Sequence, residues 1–270
     1  MKVRMYNVGF GDCFCLRDRK KSLLVDFGTN NSRIEGRPRR EIFDVIISDL
    51  STIKSKNLLL THFHMDHLSG LLYMMKKKDI SVDFGKIYLP DVFSKKEMSR
   101  TLVLLLLADL LKESGLPSRQ VSLFALVDAL LENKQNVELL SRGKLFENKY
   151  QALWPDTDVI RKETDEVYNR ICEDGKFKEV MDVLLEFAEK LRLIVWSMTA
   201  EGNKPAETVE KETDLTASEL TEQPEVRQKI IRAYVYEREF RRIKALPDFK
   251  KLLAWPVSYT HLTLPTNSRV

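Results

Sequence analysis

The sequence predicts an α+β fold: an N-terminal sheet followed by long helical stretches, with a brief return of strands between them. Three observations lead there. Residues 1–93 alternate short strand-like and helix-like segments, residues 94–140 and 161–256 carry apolar residues at helical spacing, and residues 141–160 regain strand texture.

The elements follow in order. VRMYNV and CFCLR read as strands on either side of the turn GFGD, and SLLVDFG as a third strand ending in a glycine. The polar stretch from Asn30 to Arg40 is a loop. EIFDVIISDL puts Ile42, Val45, Ile46 and Leu50 on one face of a helix that packs on the sheet. NLLLT is a buried strand by its continuous apolar run, LSGLLYMMKKK a helix, and KIYLP another strand. Strand, loop, helix, strand is the order that places a loop at the C-terminal edge of a sheet, where α/β proteins put their sites.

Beyond residue 93 the texture changes. Ser94 and Glu97 have capping-box spacing ahead of an apolar-rich helix ending near Gly115, and Pro117 and Ser118 open a second helix running to about Asn133. GKLFENKYQALWPD suggests two strands about a turn at Asn148. A single helix from Thr164 to Met198 would carry the stripe Val180, Val183, Leu184, Phe187, Ala188 and Leu191, which reads as core. Residues 201–227, without an aromatic side chain and rich in Glu, Thr and Pro, read as a polar linker. The helix KIIRAYVYEREFRRIKAL follows, with Arg238, Arg241 and Arg242 on a solvated face.

Composition excludes several classes. With 43% hydrophobic and 31% charged residues the chain has the make-up of a water-soluble protein. Its greasiest run, LVLLLLADLL at 102–111, is too short for a bilayer and contains Asp109, so no membrane association is expected. MKVRMYNVGF lacks the apolar core of a signal peptide. Three cysteines cannot build a disulfide framework, which points to a reducing cytoplasm. Cys13 and Cys15 read as small core hydrophobes, and Cys172 has no partner in sequence. The net charge of +4 is dispersed and gives no support to a dedicated nucleic-acid surface.

Chemistry concentrates in THFHMDHLSG, residues 61–70, which holds three of the four histidines. Catalytic and structural metals need imidazoles and carboxylates converging at about 2.0 to 2.2 Å. In an extended segment His62 and His64 point the same way and can share one ion. Asp66 and His67, past the turn into a helix, can address a second ion about 3.5 to 4 Å away. The H-x-H-x-D-H spacing therefore suits a dinuclear cluster.

That motif, with LLLT before it and LSG after it, resembles the metallo-β-lactamase superfamily. NVGFGDCFCL resembles the VGxGD opening of the branch that includes the competence-protein hydrolase domain, LLVDFGT resembles the following strand with its Asp-x-Gly, and KYQALWP resembles a later strand. The resemblance covers residues 1–93 well, 142–158 weakly and the helical stretches not at all. It implies a partial αββα sandwich: its N-terminal half at 1–93, a helical insertion at 94–140, returning strands at 141–160, and a second insertion at 161–256 containing the linker. It also implies two Zn ions, with Fe or Mn in some members, His62 and His64 on the first and Asp66 and His67 on the second. A metal-bridged hydroxide would be the nucleophile, oriented by Asp66, and Asp26 would support the cluster from beneath. The superfamily hydrolyses lactams, thioesters and phosphodiesters, and the GFGD opening tilts the expectation to phosphoester or nucleic-acid substrates.

The family pattern expects a further histidine, a bridging aspartate and a last histidine downstream. Only His261 follows, in PVSYTHLTLPTNSRV, whose texture resembles translated adapter or vector sequence. Residues 257–270 are therefore expected to be a non-native tail on a truncated frame ending near Trp255 or Pro256, and His261 is not nominated. An incomplete ligand shell, weak metal affinity, a hydrolase inactive as this fragment and an uncovered sheet face and edge are the expected consequences. The alternative is a non-catalytic degenerate scaffold whose helices bind a partner protein.

Overall fold

The computed structural model describes residues 1–18, 21–77, 83–113, 123–133, 135–173, 175 and 177–200. The linker at 201–227, the basic helix after it, the 257–270 tail and His261 lie outside the described residues, as does the expected start of the second helix at Pro117. The described residues divide into two units, 1–90 with 123–140, and 91–113 with 141–200. The result is a mixed α+β fold with a β-sheet core and further helices beyond it.

In the first unit, strands β1 (Lys2–Met5), β2 (Phe14–Asp18) and β3 (Lys21–Val25) form an antiparallel meander. A small hairpin, β4 (Arg33–Ile34) and β5 (Arg37–Pro38), occupies the stretch expected as loop and leads into helix α1 (Arg39–Ser51). Strand β6 (Ser55–Leu59), helix α2 (Met65–Lys76) and strand β7 (Ile87–Pro90) follow. After an excursion into the second unit, helix α4 (Leu123–Glu132) and strand β8 (Val137–Leu140) complete a six-stranded sheet of order β1-β2-β3-β6-β7-β8, parallel from β3 onward. One sheet of this size occurs among the described residues.

Pleating explains the burial. Cys15, Leu24, Leu58 and Ile87 are register partners in successive strands, and each is 0% exposed. Cys13 and Cys15 are both buried, as small hydrophobes should be, and burial pushes the Cys13 thiol well above its ordinary range. At the edge, Val3 and Met5 of β1 remain 60% and 74% exposed. The β1–β2 pair is tied to α1: Arg4 of β1, Tyr6 just after it and Arg17 of β2 all reach Asp49 Oδ2, with the arginines at 2.8 and 2.6 Å.

Helix α1 corrects the expected face. Phe43, Ile46, Ile47 and Leu50 are buried, whereas Val45 is 60% exposed. Both sets satisfy helical spacing, and the aromatic contact decides: Phe43 meets the Phe27 ring edge-on at 5.2 Å and Tyr73 of α2 at 5.6 Å. Residues 137–140 lie in the stretch read as helical, yet they pair with β7. Four residues are too short to show a strand period, and the partner supplies the register.

The second unit contains a 3-10 turn (Lys96–Met98), helix α3 (Ser99–Glu113), a hairpin of β9 (Leu145–Phe146) and β10 (Tyr150–Gln151), and helices α5 (Thr157–Glu173) and α6 (Lys178–Ser197). The capping box does not form, because the Ser94 N–H and hydroxyl bond to Asp91 instead, at 3.1 and 2.7 Å. The hairpin turns at Glu147 and Asn148, both at positive φ. The single helix expected over 164–198 is two helices broken at Gly175, whose φ of +63° an α-helix does not accommodate. The Val180 to Leu191 stripe of α6 is buried as expected. Helix α3 is packed along Leu102–Ala108, and among the described residues no helix is long and apolar enough to cross a membrane.

Candidate metal centre

Adjacent parallel strands build the site. The segments leaving β3 and β6 lie side by side at the C-terminal edge of the sheet, and Asp26 N–H donates to Leu59 O at 2.8 Å. Asp26, 2% exposed and at a φ of +54°, turns its carboxylate under the histidine segment. Its Oδ1 accepts the Thr61 N–H at 2.8 Å, and its Oδ2 accepts the Thr61 hydroxyl at 2.7 Å. His67 Nδ1 lies 2.9 Å from the same Oδ2.

These bonds orient two imidazoles. A buried carboxylate accepting from His67 Nδ1–H leaves Nε2 of that ring with its lone pair outward. Thr61 Oγ1, its own proton committed to Asp26, lies 3.0 Å from His62 Nδ1 and accepts from it, which leaves His62 Nε2 outward too. One carboxylate therefore sets both rings, directly at His67 and through Thr61 at His62.

The turn that carries Asp66 and His67 is spliced to its neighbours through the main chain. Asp66 O and His67 O, in the first turn of α2, accept the N–H groups of Asp12 (3.2 Å) and Phe27 (2.7 Å). Phe27 O accepts in return from Gly70 (2.8 Å) and Leu71 (3.1 Å). A Cβ on Gly28 would fall 2.6 Å from Leu68 N and 2.7 Å from Asp66 O, so this approach requires glycine. Behind it, the Ser69 hydroxyl accepts the Thr29 N–H at 2.8 Å and donates to Thr29 O at 2.9 Å.

His62, Asp66 and His67 offer one ligand atom each within 4.8 Å of one another, and Asp12, Asp26 and His67 form a second such group. The His62 and His67 rings are 3.6 Å apart, and Asp66 Oδ2 is 3.7 Å from His67 Nε2. His64 caps α2 in an extended conformation, buried, its ring edge-on to His62 at 4.9 Å, and it belongs to neither three-donor group. Asp12 and Thr61 are the participants that sequence reading missed. Their signals were the aspartate closing GFGD and the threonine before the first histidine.

Electrostatics treats the two imidazoles differently. Burial, with the neighbouring His67 and His64, pushes His62 down to about 3, so the ring is neutral at physiological pH. Burial alone would lower His67, but the hydrogen bond and charge of Asp26, with Asp66 and Asp12, raise it. Burial raises Asp26 against the opposing pull of His67 and Thr61. Two imidazole nitrogens, each oriented from behind, and a carboxylate are a donor set that fits a divalent transition ion such as zinc.

No curated protein and no solved structure matches the chain. Residues 6–91, which run from just after β1 to just past β7 and include every residue of the site just described, match the Metallo-beta-lactamase superfamily, so this segment is a metallo-β-lactamase superfamily domain.

Proposed function

We propose that this chain carries the first part of the metal site of a metal-dependent hydrolase acting on esters, with phosphoesters or nucleic acid as the favoured class, and that the four ligands present do not by themselves sustain turnover. The observation that carries the reading is the convergence of His62, Asp66 and His67 with both rings held by Asp26. In this proposal His62 and His64 hold one ion and Asp66 and His67 a second. Zinc suits the nitrogen-rich set, with iron or manganese as alternatives. When bound, the ions supply Lewis acidity and activate water near neutral pH. Asp66, on the rigid first turn of α2, binds and orients the attacking water. Thr61 and Asp26 keep the ligand nitrogens aimed, and the neutral state of His62 removes any competition from a proton. The three free thiols support a reducing compartment such as the cytoplasm.

The test separates binding from turnover. The purified chain, loaded with zinc, is expected to retain metal that His64→Ala with Asp66→Ala loses, and to show little or no turnover of bis(p-nitrophenyl) phosphate or p-nitrophenyl acetate. Equal metal content in the double variant rejects the ligand assignment. Failure of the wild type to take up zinc favours the second reading, a non-catalytic scaffold that binds a partner protein through its helices.

A further inference from the structure

We propose that Asp12 is a positioning residue for the adjacent ligands Asp66 and His67, holding the first by its backbone and stabilising the second, when it carries a cation, by its negative charge. This rests on the metal-site reading above.

Asp12 closes the turn between β1 and β2, at the end of GFGD. Its N–H bonds to Asp66 O, and its own carbonyl accepts the Gly28 N–H at 3.2 Å, so its main chain sits between the ligand helix and the loop after β3. Gly11 makes that position possible: a Cβ there would lie 2.3 Å from Gly28 O and 2.7 Å from Asp66 O. The backbone is thus fixed independently of the side chain.

The side chain does something else. Asp12 Oδ2 lies 3.6 Å from His67 Nδ1, too far for a hydrogen bond, and its side chain is 44% exposed. Asp26 already takes the Nδ1 proton, so Asp12 is not needed to orient the ring. What a half-exposed carboxylate at this distance adds is charge behind an imidazole whose other nitrogen faces the cation. Carboxylates behind metal-bound histidines raise ligand basicity, and their removal typically lowers metal affinity about 10- to 100-fold. A charge open to solvent is screened by salt, whereas a buried hydrogen bond is not. The two aspartates behind His67 therefore differ in a measurable way.

The experiment titrates full-length wild type, Asp12→Asn, Asp12→Glu and Asp26→Asn with Co2+, read from the visible absorption of the bound ion, at low ionic strength and in about 1 M potassium nitrate. At low salt Asp12→Asn is expected to bind about 10-fold more weakly than wild type, and the deficit should shrink to within about threefold at high salt. Asp26→Asn should be weakened at both. Asp12→Glu, which restores the charge, should recover most of the loss at low salt. Without cation, Asp12→Asn should melt with the wild type, because the clamp is main chain. Equal Co2+ affinity of Asp12→Asn and wild type at low salt overturns the proposal and leaves the metal site standing. So does a deficit that is the same at both salts or that Asp12→Glu does not recover. If the wild type takes up no Co2+, the metal-site reading fails and this proposal with it.

Discussion

Asp26 Oδ2 lies 2.9 Å from His67 Nδ1 in a site where Asp26 is 2% exposed. The bond joins the end of β3 to the first turn of α2, two segments far apart in sequence, and sets the orientation of a ligand candidate from below. Replacing Asp26 with Asn keeps the volume and removes the charge. Zinc affinity, measured by competition with a chromophoric chelator, is expected to fall about 10- to 100-fold. A change within twofold would mean that the carboxylate does not support the ligand.

Thr61 transmits the same carboxylate to His62. Thr61→Val preserves shape and deletes the hydroxyl, leaving one oxygen of Asp26 and the His62 Nδ1–H each short of a partner. Stability should drop by about 1 to 3 kcal/mol in urea unfolding. The imidazole 15N shifts of His62 should move from a single tautomer with Nε2 unprotonated toward a mixture. Unmoved shifts would sink the relay.

The depressed His62 predicts a pH dependence whose sign is fixed. Its ordinary value is 6.5 and its folded value about 3, so on acidification the unfolded chain takes up a proton that the folded ring refuses. The corresponding stability is present above pH 6.5 and is lost progressively as pH falls toward 3. Between pH 7 and 5 the metal-free wild type should lose about 2 kcal/mol more than His62→Gln. His67 and Asp26, both raised, act in the opposite direction and are common to the two proteins, so the comparison isolates His62. Parallel stability curves for the two would remove burial of a neutral His62 from the account.

Gly28 is a steric requirement. An alanine Cβ would meet Leu68 N at 2.6 Å and the Asp66 carbonyl carbon and oxygen at 2.7 Å, all main-chain atoms that cannot swing aside. Gly28→Ala should destabilise the fold by about 1 to 3 kcal/mol and weaken zinc binding, because what must shift is the turn carrying Asp66 and His67. Wild-type affinity in a folded Gly28→Ala protein would show that this turn can move without harm to the ligands.

Much of this was legible beforehand for local reasons. Strands β1, β2, β3, β6 and β7 and helices α1 and α2 follow from alternation, helical spacing and turn residues that act within a few positions, whereas the β4–β5 hairpin occupies a stretch that reads as loop. The histidine motif announces its chemistry because its members are neighbours in sequence. The exceptions have equally physical causes. Val45 and Phe43 both lie at helical spacings, and the aromatic contact with Phe27 and Tyr73 selects the buried face. Residues 137–140 are a strand because β7 offers them hydrogen bonds.

The sequence by itself determined that His62, His64, Asp66 and His67 stand together in one short segment, and that a buried strand leads into them. Tertiary structure decided how they are held: that Asp26 sets His67 directly and His62 through Thr61, that Asp12 stands behind His67, and that His62 pairs more closely with Asp66 and His67 than with His64. Side-chain spacing fixes direction only along one regular segment. At this site the chain changes from strand to helix within five residues, and the groups that orient it arrive from β1–β2 and β3, where sequence separation carries no sign of proximity.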